Sequence, residues 1–399
     1  MRPLLAILIA LGTLVWPALL PAMEIATGYM LGPRYDPRSF YYRTPGNSTW
    51  RQTYSERGYR REARGKLMNV RLTQALFQDE WLTERPFDPS ANTNRAIEAL
   101  DVYKRHGVLA VTVSLQGDDP GYAASGISRQ NGFRYGPQGG TLVSAYRPDG
   151  SLKAEWMERL ERLLRAADQR EMVVCLIYFY PGQDEALDLP EVLEVAARNI
   201  TDWLIDKKFR NVIVDVASGW DEQGDRWGFG QHIPQNIGSM VDKIRERFEN
   251  KHADFVLPIG ASTGGRMMYP ASLAGESDVV LLHGDGRPAA EKLDRLRQYK
   301  EYARPLLMIE DDNGRGLDAA SLAAERASCD ALFHYGSGWG YTPWAQTMRF
   351  PFDYAAGPTG EFTAQAPPAE RGQRYFHAVL DHIARLVLNR APEGEKWKK

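Results

Sequence analysis

Cysteine is nearly absent. The 399 residues hold two, Cys175 and Cys329, too few for a disulfide framework or a thiolate metal site. Cys175 falls inside the apolar stretch Val173-Val174-Cys175-Leu176-Ile177 and reads as a small buried hydrophobe. No HExxH, CxxC, Walker loop or GxGxxG occurs, so nothing points to metal- or nucleotide-based chemistry, and no metal or cofactor is expected. An excess of either charge is missing as well. The 49 Lys and Arg are interleaved with 51 Asp and Glu, which removes the concentrated basic face that a nucleic-acid partner requires. Past the N-terminus there is no long apolar run, which excludes a polytopic membrane protein. With 43% hydrophobic and 25% charged residues, the chain is not a disordered one either.

What is present begins with a distinct leader. Arg2 gives a short positive start, residues 4–20 are apolar apart from Thr13, and Leu20-Pro21-Ala22 offers a small residue for cleavage. This is the layout of a secretory signal peptide over residues 1–22, so a secreted or periplasmic protein is expected, with no membrane contact beyond export. Residues 23–65 are rich in Arg and Tyr without clear periodicity and read as an N-terminal extension packing on the main fold. Residues 66–390 form the main domain, and 391–399 a charged tail.

From residue 66 a rhythm begins. Eight short apolar runs occupy 67–72, 108–115, 172–180, 212–217, 255–259, 279–282, 305–309 and 331–335. Most are β-branched or aromatic-rich and nearly continuous, as expected of strands buried on both faces of a parallel sheet. Between them lie amphipathic stretches at 94–105, 152–169, 190–207, 234–250, 289–302 and 321–332, and another at 371–390 follows the last run. In 152–169, Trp156, Leu160, Leu163 and Leu164 recur at helical spacing, while Lys153, Glu158, Arg159 and Arg162 are expected to face away. Strand and helix alternating eight times predicts an α/β fold, a (β/α)8 TIM barrel with an N-terminal extension, rather than an open doubly wound sheet.

In such a barrel, chemistry sits at the C-terminal ends of the strands. The first run is followed by Asp79-Glu80-Trp81, the second by Gln116 and Asp118 to Tyr122, and the third ends in Tyr178 and Tyr180. The fourth is followed by Ser218-Gly219-Trp220-Asp221-Glu222, the fifth by Gly264-Gly265, and the sixth by His283-Gly284-Asp285. The seventh is followed by Glu310-Asp311-Asp312 and the eighth by Trp339. Carboxylates on opposed strands with flat aromatic faces are what hydrolysis of a glycosidic bond needs: one carboxylate attacks or activates water, another protonates the departing oxygen, and rings hold the sugar. Glu310 is the leading catalytic candidate, because alternation along 306–310 places Leu306, Met308 and Glu310 on one side. Asp215, within the fourth run, is expected to be hydrogen-bonded inside the barrel.

These residues carry a resemblance. Val113-Ser114-Leu115-Gln116-Gly117, Asn199-Ile200-Thr201-Asp202-Trp203-Leu204, Leu282-His283-Gly284, Ile309-Glu310-Asp311-Asp312 and Gly338-Trp339-Gly340 are the segments that carry it. Over about residues 66–355 the chain resembles the cellulase-like glycoside hydrolases of the large retaining (β/α)8 clan that includes glycoside hydrolase family 5, and more narrowly a secreted bacterial branch. The resemblance implies a nucleophilic glutamate at the end of strand seven, matched by Glu310. It also implies an Asn-Glu pair at the end of strand four, whose Glu is the general acid/base. There the chain reads Ser218-Gly219, so the expected acid is missing, and Asp221 or Glu222 is expected to replace it.

The function expected is an exported glycoside hydrolase-like protein acting on or binding a carbohydrate. Glu310, Asp221 and Glu222 are its catalytic candidates; Gln116, Tyr178, Tyr180, Trp220, His283, Asp285, Asp311 and Trp339 are its substrate-binding candidates. The alternative is a catalytically lapsed barrel that binds glycans or a protein partner through the same cleft.

Overall fold

The computed structural model describes residues 23–78, 87–117, 143–222, 226–313, 316–356, 362 and 367–392. The expected signal peptide, Asp79-Glu80-Trp81, residues 118–122 and the end of the charged tail lie outside them. Among the described residues no helix is long and apolar enough to cross a membrane.

The chain opens with β1 (Glu24–Thr27), the single turn α1 (Gly28–Leu31), β2 (Phe40–Arg43) and β3 (Arg51–Gln52), whose strands pair in the antiparallel order β1-β2-β3. This small sheet docks where the barrel strands begin. Met23 N–H donates to Asp168 Oδ1 at 2.7 Å, and Ile25 N–H to the Arg210 carbonyl at 3.1 Å. The Tyr54 hydroxyl donates to the Gly107 carbonyl at 2.7 Å and accepts from Met68 N–H at 3.1 Å.

The barrel strands follow: β4 (Met68–Arg71), β5 (Ala110–Ser114), β6 (Val173–Phe179), β7 (Val212–Ser218), β8 (Ile259–Ser262), β9 (Val280–His283), β10 (Leu306–Asp311) and β11 (Gly338–Tyr341). They close in sequence order, with β11 returning to β4 in parallel. Every residue of β6 and β7 is buried, because the lumen covers one face and helices the other.

The helices are α2 (Pro89–Arg105), α3 (Ala154–Asp168), α4 (Val192–Lys207), α5 (His232–Asn250), α6 (Ala271–Glu276), α7 (Ala289–Gln298), α8 (Ala319–Tyr335) and α9 (Pro368–Val387). Local signals set their ends. Asp88 caps α2 by accepting from Ala91 N–H, with Pro89 in the first turn, and Asp318 caps α8 through Ser321 N–H. On α3, Trp156, Leu160, Leu163 and Leu164 are buried as their spacing requires. Arg159 is buried with them, donating to the Leu76 carbonyl at 3.2 Å and Gln78 Oε1 at 2.8 Å.

Two expectations shift. The run 331–335 is not a strand but the last turn of α8, whose inward side continues through Cys329, Leu332 and Phe333. The helix ends where Gly336 adopts φ 108°, a left-handed value that suits glycine. The eighth strand is the glycine-rich Gly338–Tyr341 instead. There Gly338 and Gly340 lie against the Leu67 and Ile309 backbones with no room for a Cβ. The fifth strand likewise starts at Ile259, where the run 255–259 ends.

Candidate active site

Glu310 reaches the lumen through an irregularity. Met308 lies opposite Leu282, and Glu310 opposite the next β9 residue, His283, so β10 carries one extra residue, Ile309. Simple alternation would keep Met308 and Glu310 on one side. The bulge leaves Met308 beside Trp339 on the helix side and turns Glu310 inward with His283. Asn69, inside the barrel on β4, secures it by donating to the Ile309 carbonyl at 2.9 Å.

The inward Glu310 meets Arg71. Arg71 Nη1 lies 2.9 Å from Glu310 Oε2, with the arginine side chain fully buried and the glutamate 13% exposed. Arg71 is aimed by its neighbours: Nε donates to Thr73 Oγ1 at 3.0 Å, and Nη2 to Ser218 Oγ at 3.1 Å. The Tyr180 ring centre lies 5.9 Å from the guanidinium carbon. Burial opposes the charge on Arg71, but Glu310, Tyr180 and Asp215 outweigh it and raise its pKa. Sequence reasoning passed over Arg71; the available signal was a lone cation inside the apolar run 67–72.

His283 Nδ1 is 3.5 Å from the same Glu310 oxygen. Burial and the Arg71 charge push the imidazole down to about 3, so it is neutral at neutral pH. Its Nε2 is buried with no hydrogen-bond partner among the described residues. Asp285, just beyond β9, has φ 40°, a strained backbone for a non-glycine residue. Its residue is exposed at the rim, yet surrounding protein and then the charge of Glu310 push its carboxyl up to about 6, with Glu222 adding to the effect. His283, Asp285 and Glu310 offer one nitrogen and two carboxylate oxygens within 4.8 Å of one another, a donor set that could hold a divalent cation. Arg71 already supplies positive charge to that group.

A cavity of about 160 Å³ continues beside them, lined by Asp221, Glu222, Gly264, Gly265, Arg266 and Asp285. The two glycines make its room: a Cβ on Gly264 would strike the Glu222 carboxylate, and one on Gly265 would come 2.6 Å from Asp285 Oδ2. Asp221 accepts from Gly264 N–H, while its other oxygen is buried with no hydrogen bond to a described residue. Desolvation raises its pKa. Trp220 stands half-buried beside them, with an indole N–H that has no partner among the described residues.

Four expected ligand contacts lie elsewhere. Tyr178 is fully buried, its hydroxyl 3.2 Å from Thr201 Oγ1 on α4. It points to the helix layer, because it alternates with the inward Ile177 and Phe179. Asp311 turns outward past the bulge and accepts from Lys292 Nζ at 2.5 Å, Ser328 Oγ at 2.6 Å, Trp339 Nε1 at 2.8 Å and Asn313 Nδ2 at 3.0 Å. Asp311 and Trp339 are both sealed between the sheet and α8, with no surface for a sugar. Gln116 is also fully buried and ties loops together, accepting from Tyr180 N–H at 3.1 Å and donating to Ser144 Oγ at 3.1 Å and the Gln183 carbonyl at 3.0 Å.

Two further acids complete the picture. Asp215 is held inside the barrel by Ser262, through N–H at 2.8 Å and Oγ at 2.6 Å, and burial pushes it up to about 6. Glu185, past the end of β6, was not anticipated. Burial and then the Asp184 charge push it up to about 7, and its Oε1 is buried with no hydrogen bond to a described residue.

A closed barrel of eight parallel strands, with carboxylates gathered at its C-terminal mouth, is a TIM barrel. Solved structures narrow the comparison. The family 5 glycoside hydrolase of Prevotella bryantii B14 is similar in fold at a TM-score of 0.52 and 8% identity, over 80% of this chain and 95% of that one. The Prevotella bryantii endo-β-mannanase/endo-β-glucanase matches at 0.52 and 9% identity, over 80% of this chain and 48% of that one. The likeness is one of fold, and these fold neighbours are glycoside hydrolases. No family model matches the chain, and no curated protein matches it in sequence.

Proposed function

We propose that the protein is an exported glycoside hydrolase-like barrel that takes a carbohydrate into the mouth of the barrel, with Glu310 as the nucleophile of a retaining reaction. The observation that carries this reading is the charge contact of Glu310 with Arg71 at 2.9 Å, on a bulge that turns the carboxylate into the lumen. Arg71 orients the carboxylate for attack on the anomeric carbon. The neutral His283 beside it adds a polar contact without competing for the negative charge.

The acid must come from another group. Asp221 and Glu222 border the adjoining cavity, and either can serve as the relocated acid/base. Asp285 joins them as a third candidate, because its carboxylate lies within 4.8 Å of the Glu310 oxygen. That is near the separation of about 5–5.5 Å between the carboxyls of retaining enzymes. Trp220, half-buried just past the end of β7, is the candidate aromatic face for a sugar ring.

A second reading is favoured by one observation. At the end of β7, where a general acid is expected, Ser218 instead accepts a hydrogen bond from Arg71. A barrel that had lost its acid would still bind glycans there.

Hydrolysis of a panel of dinitrophenyl glycosides separates the two, because such leaving groups barely need protonation. Turnover that disappears in Glu310→Gln supports the hydrolase. Glycan binding without turnover across the panel supports the lapsed barrel.

A further inference from the structure

A second cavity lies on the opposite face, where the barrel strands begin. It has a volume of about 290 Å³ and is walled by Arg38 of the N-terminal segment, Tyr299, Lys300 and Arg304 from the link between α7 and β10, and Tyr335 and Gly336 from the end of α8. Three parts of the chain far apart in sequence thus build one wall. Three cations line it and no carboxylate does.

Many surface cations of the chain are held by a carboxylate. Arg43, Arg165, Arg170, Arg210 and Arg247 each hold a carboxylate. Among the described residues, Arg38, Lys300 and Arg304 form no ion pair. Arg304 is also buried and fixed: Nε donates to the Ser277 carbonyl at 2.7 Å, Nη1 to the Tyr302 carbonyl at 2.9 Å, and the guanidinium carbon lies 3.2 Å from the centre of the Tyr29 ring. Its Nη2 makes no hydrogen bond to a described residue. Asp278 acts on Arg304 but is itself paired with Arg245 at 3.0 Å. Three like charges around one cavity with no carboxylate in its lining repel one another, and an anion would reduce that cost. A fixed guanidinium flanked by two exposed cations suits the oxygens of a phosphate or sulfate group. The Tyr299 and Tyr335 hydroxyls already donate to the Met267 and Leu296 carbonyls, so the rings add surface rather than charge. The volume, near the lower end of about 300–1,000 Å³ for small-molecule pockets, leaves room for a sugar-sized body behind the anionic group.

We propose that this cavity binds the phosphate or sulfate ester group of a small molecule, independently of the cleft at the other end of the barrel. Glucose 6-phosphate, glucose 6-sulfate and unmodified glucose are titrated calorimetrically into the intact protein at low salt, with vesicles containing phosphatidylglycerol as a separate arm. Saturable binding of an ester and not of glucose is expected. It should weaken at least tenfold in Arg38→Gln/Lys300→Gln, two exposed positions that spare the buried Arg304, and stay unchanged in Arg105→Gln on α2. Vesicle binding lost in the same double variant would also support the site, with a lipid headgroup as the source of the anion. Failure of every probe to bind saturably, or binding that the double variant leaves intact, would overturn it.

Discussion

Arg71 on the first barrel strand and Glu310 on the seventh meet at 2.9 Å inside the mouth of the barrel. Neither position is self-explanatory. Arg71 is a fully buried cation in an apolar strand, and Glu310 faces it because of one extra residue in β10. Removing the guanidinium takes away the group we propose to orient Glu310 as nucleophile. For Arg71→Met the expected loss in kcat on dinitrophenyl glycosides is about 10²–10³-fold, the scale seen when one charge-stabilising donor is deleted. Arg71→Lys should recover part of it. Unchanged kcat in Arg71→Met would remove Arg71 from the reaction.

The acid is identified by comparing leaving groups. Asp221→Asn, Glu222→Gln and Asp285→Asn are each assayed on a dinitrophenyl glycoside and on an unactivated glycoside of the same sugar. Loss of a general acid should cost about 10²–10⁴-fold on the unactivated substrate and little on the activated one. One of the three variants is expected to show that split. If all three behave alike on both substrates, the acid has not been relocated to this cavity.

Asp215 gives a prediction about stability. Its carboxyl is raised to about 6 in the folded barrel from an ordinary 3.8, so between those values the native state holds a proton that the unfolded chain has released. Stability therefore falls as pH rises from 3.8 to about 6. At about 1.4 kcal/mol per pKa unit, the decline from this group is on the order of 3 kcal/mol. In Asp215→Asn that part of the slope should vanish, as read from urea midpoints at pH 4, 5, 6 and 7. Parallel pH profiles for the two proteins would show that Asp215 does not titrate there.

Lys292 and Asp311 form a pair with neither side chain exposed, 2.5 Å apart behind the strand that carries Glu310. Lys292→Met leaves the aspartate buried without its cation, a change that typically costs about 3–5 kcal/mol. Chemical denaturation measures it directly. A loss under about 1 kcal/mol, the scale of exposed pairs, would mean that water reaches Asp311.

The repeat of strand and helix could be read from β4 to β10, apart from β8, which only begins where its expected run ends, because strands covered on both faces leave continuous apolar runs. The eighth strand could not. Gly338-Trp339-Gly340-Tyr341 is too rich in glycine to look like a strand, while the preceding 331–335 is apolar and belongs to a helix. The site was legible in its residue types but not in their directions. Glu310, His283, Asp285, Asp221 and Glu222 gather at one mouth. Tyr178, Asp311 and Trp339, named from the same strand ends, point into the helix layer. The difference lies in side-chain parity, which a one-residue bulge at Ile309 reverses without a mark in the composition. Arg71 needed the closed barrel to explain it, since only closure brings the first strand within reach of the seventh.

The most direct measurement is the mass of the peptide bearing Glu310 after incubation with a 2-deoxy-2-fluoro dinitrophenyl glycoside of a turned-over sugar. That reagent forms the glycosyl-enzyme readily and releases it slowly. The account predicts one added fluorosugar on Glu310 and none in Glu310→Gln. Turnover of the parent glycoside with no label, or with the label on another carboxylate, would contradict the assignment of Glu310 as the nucleophile.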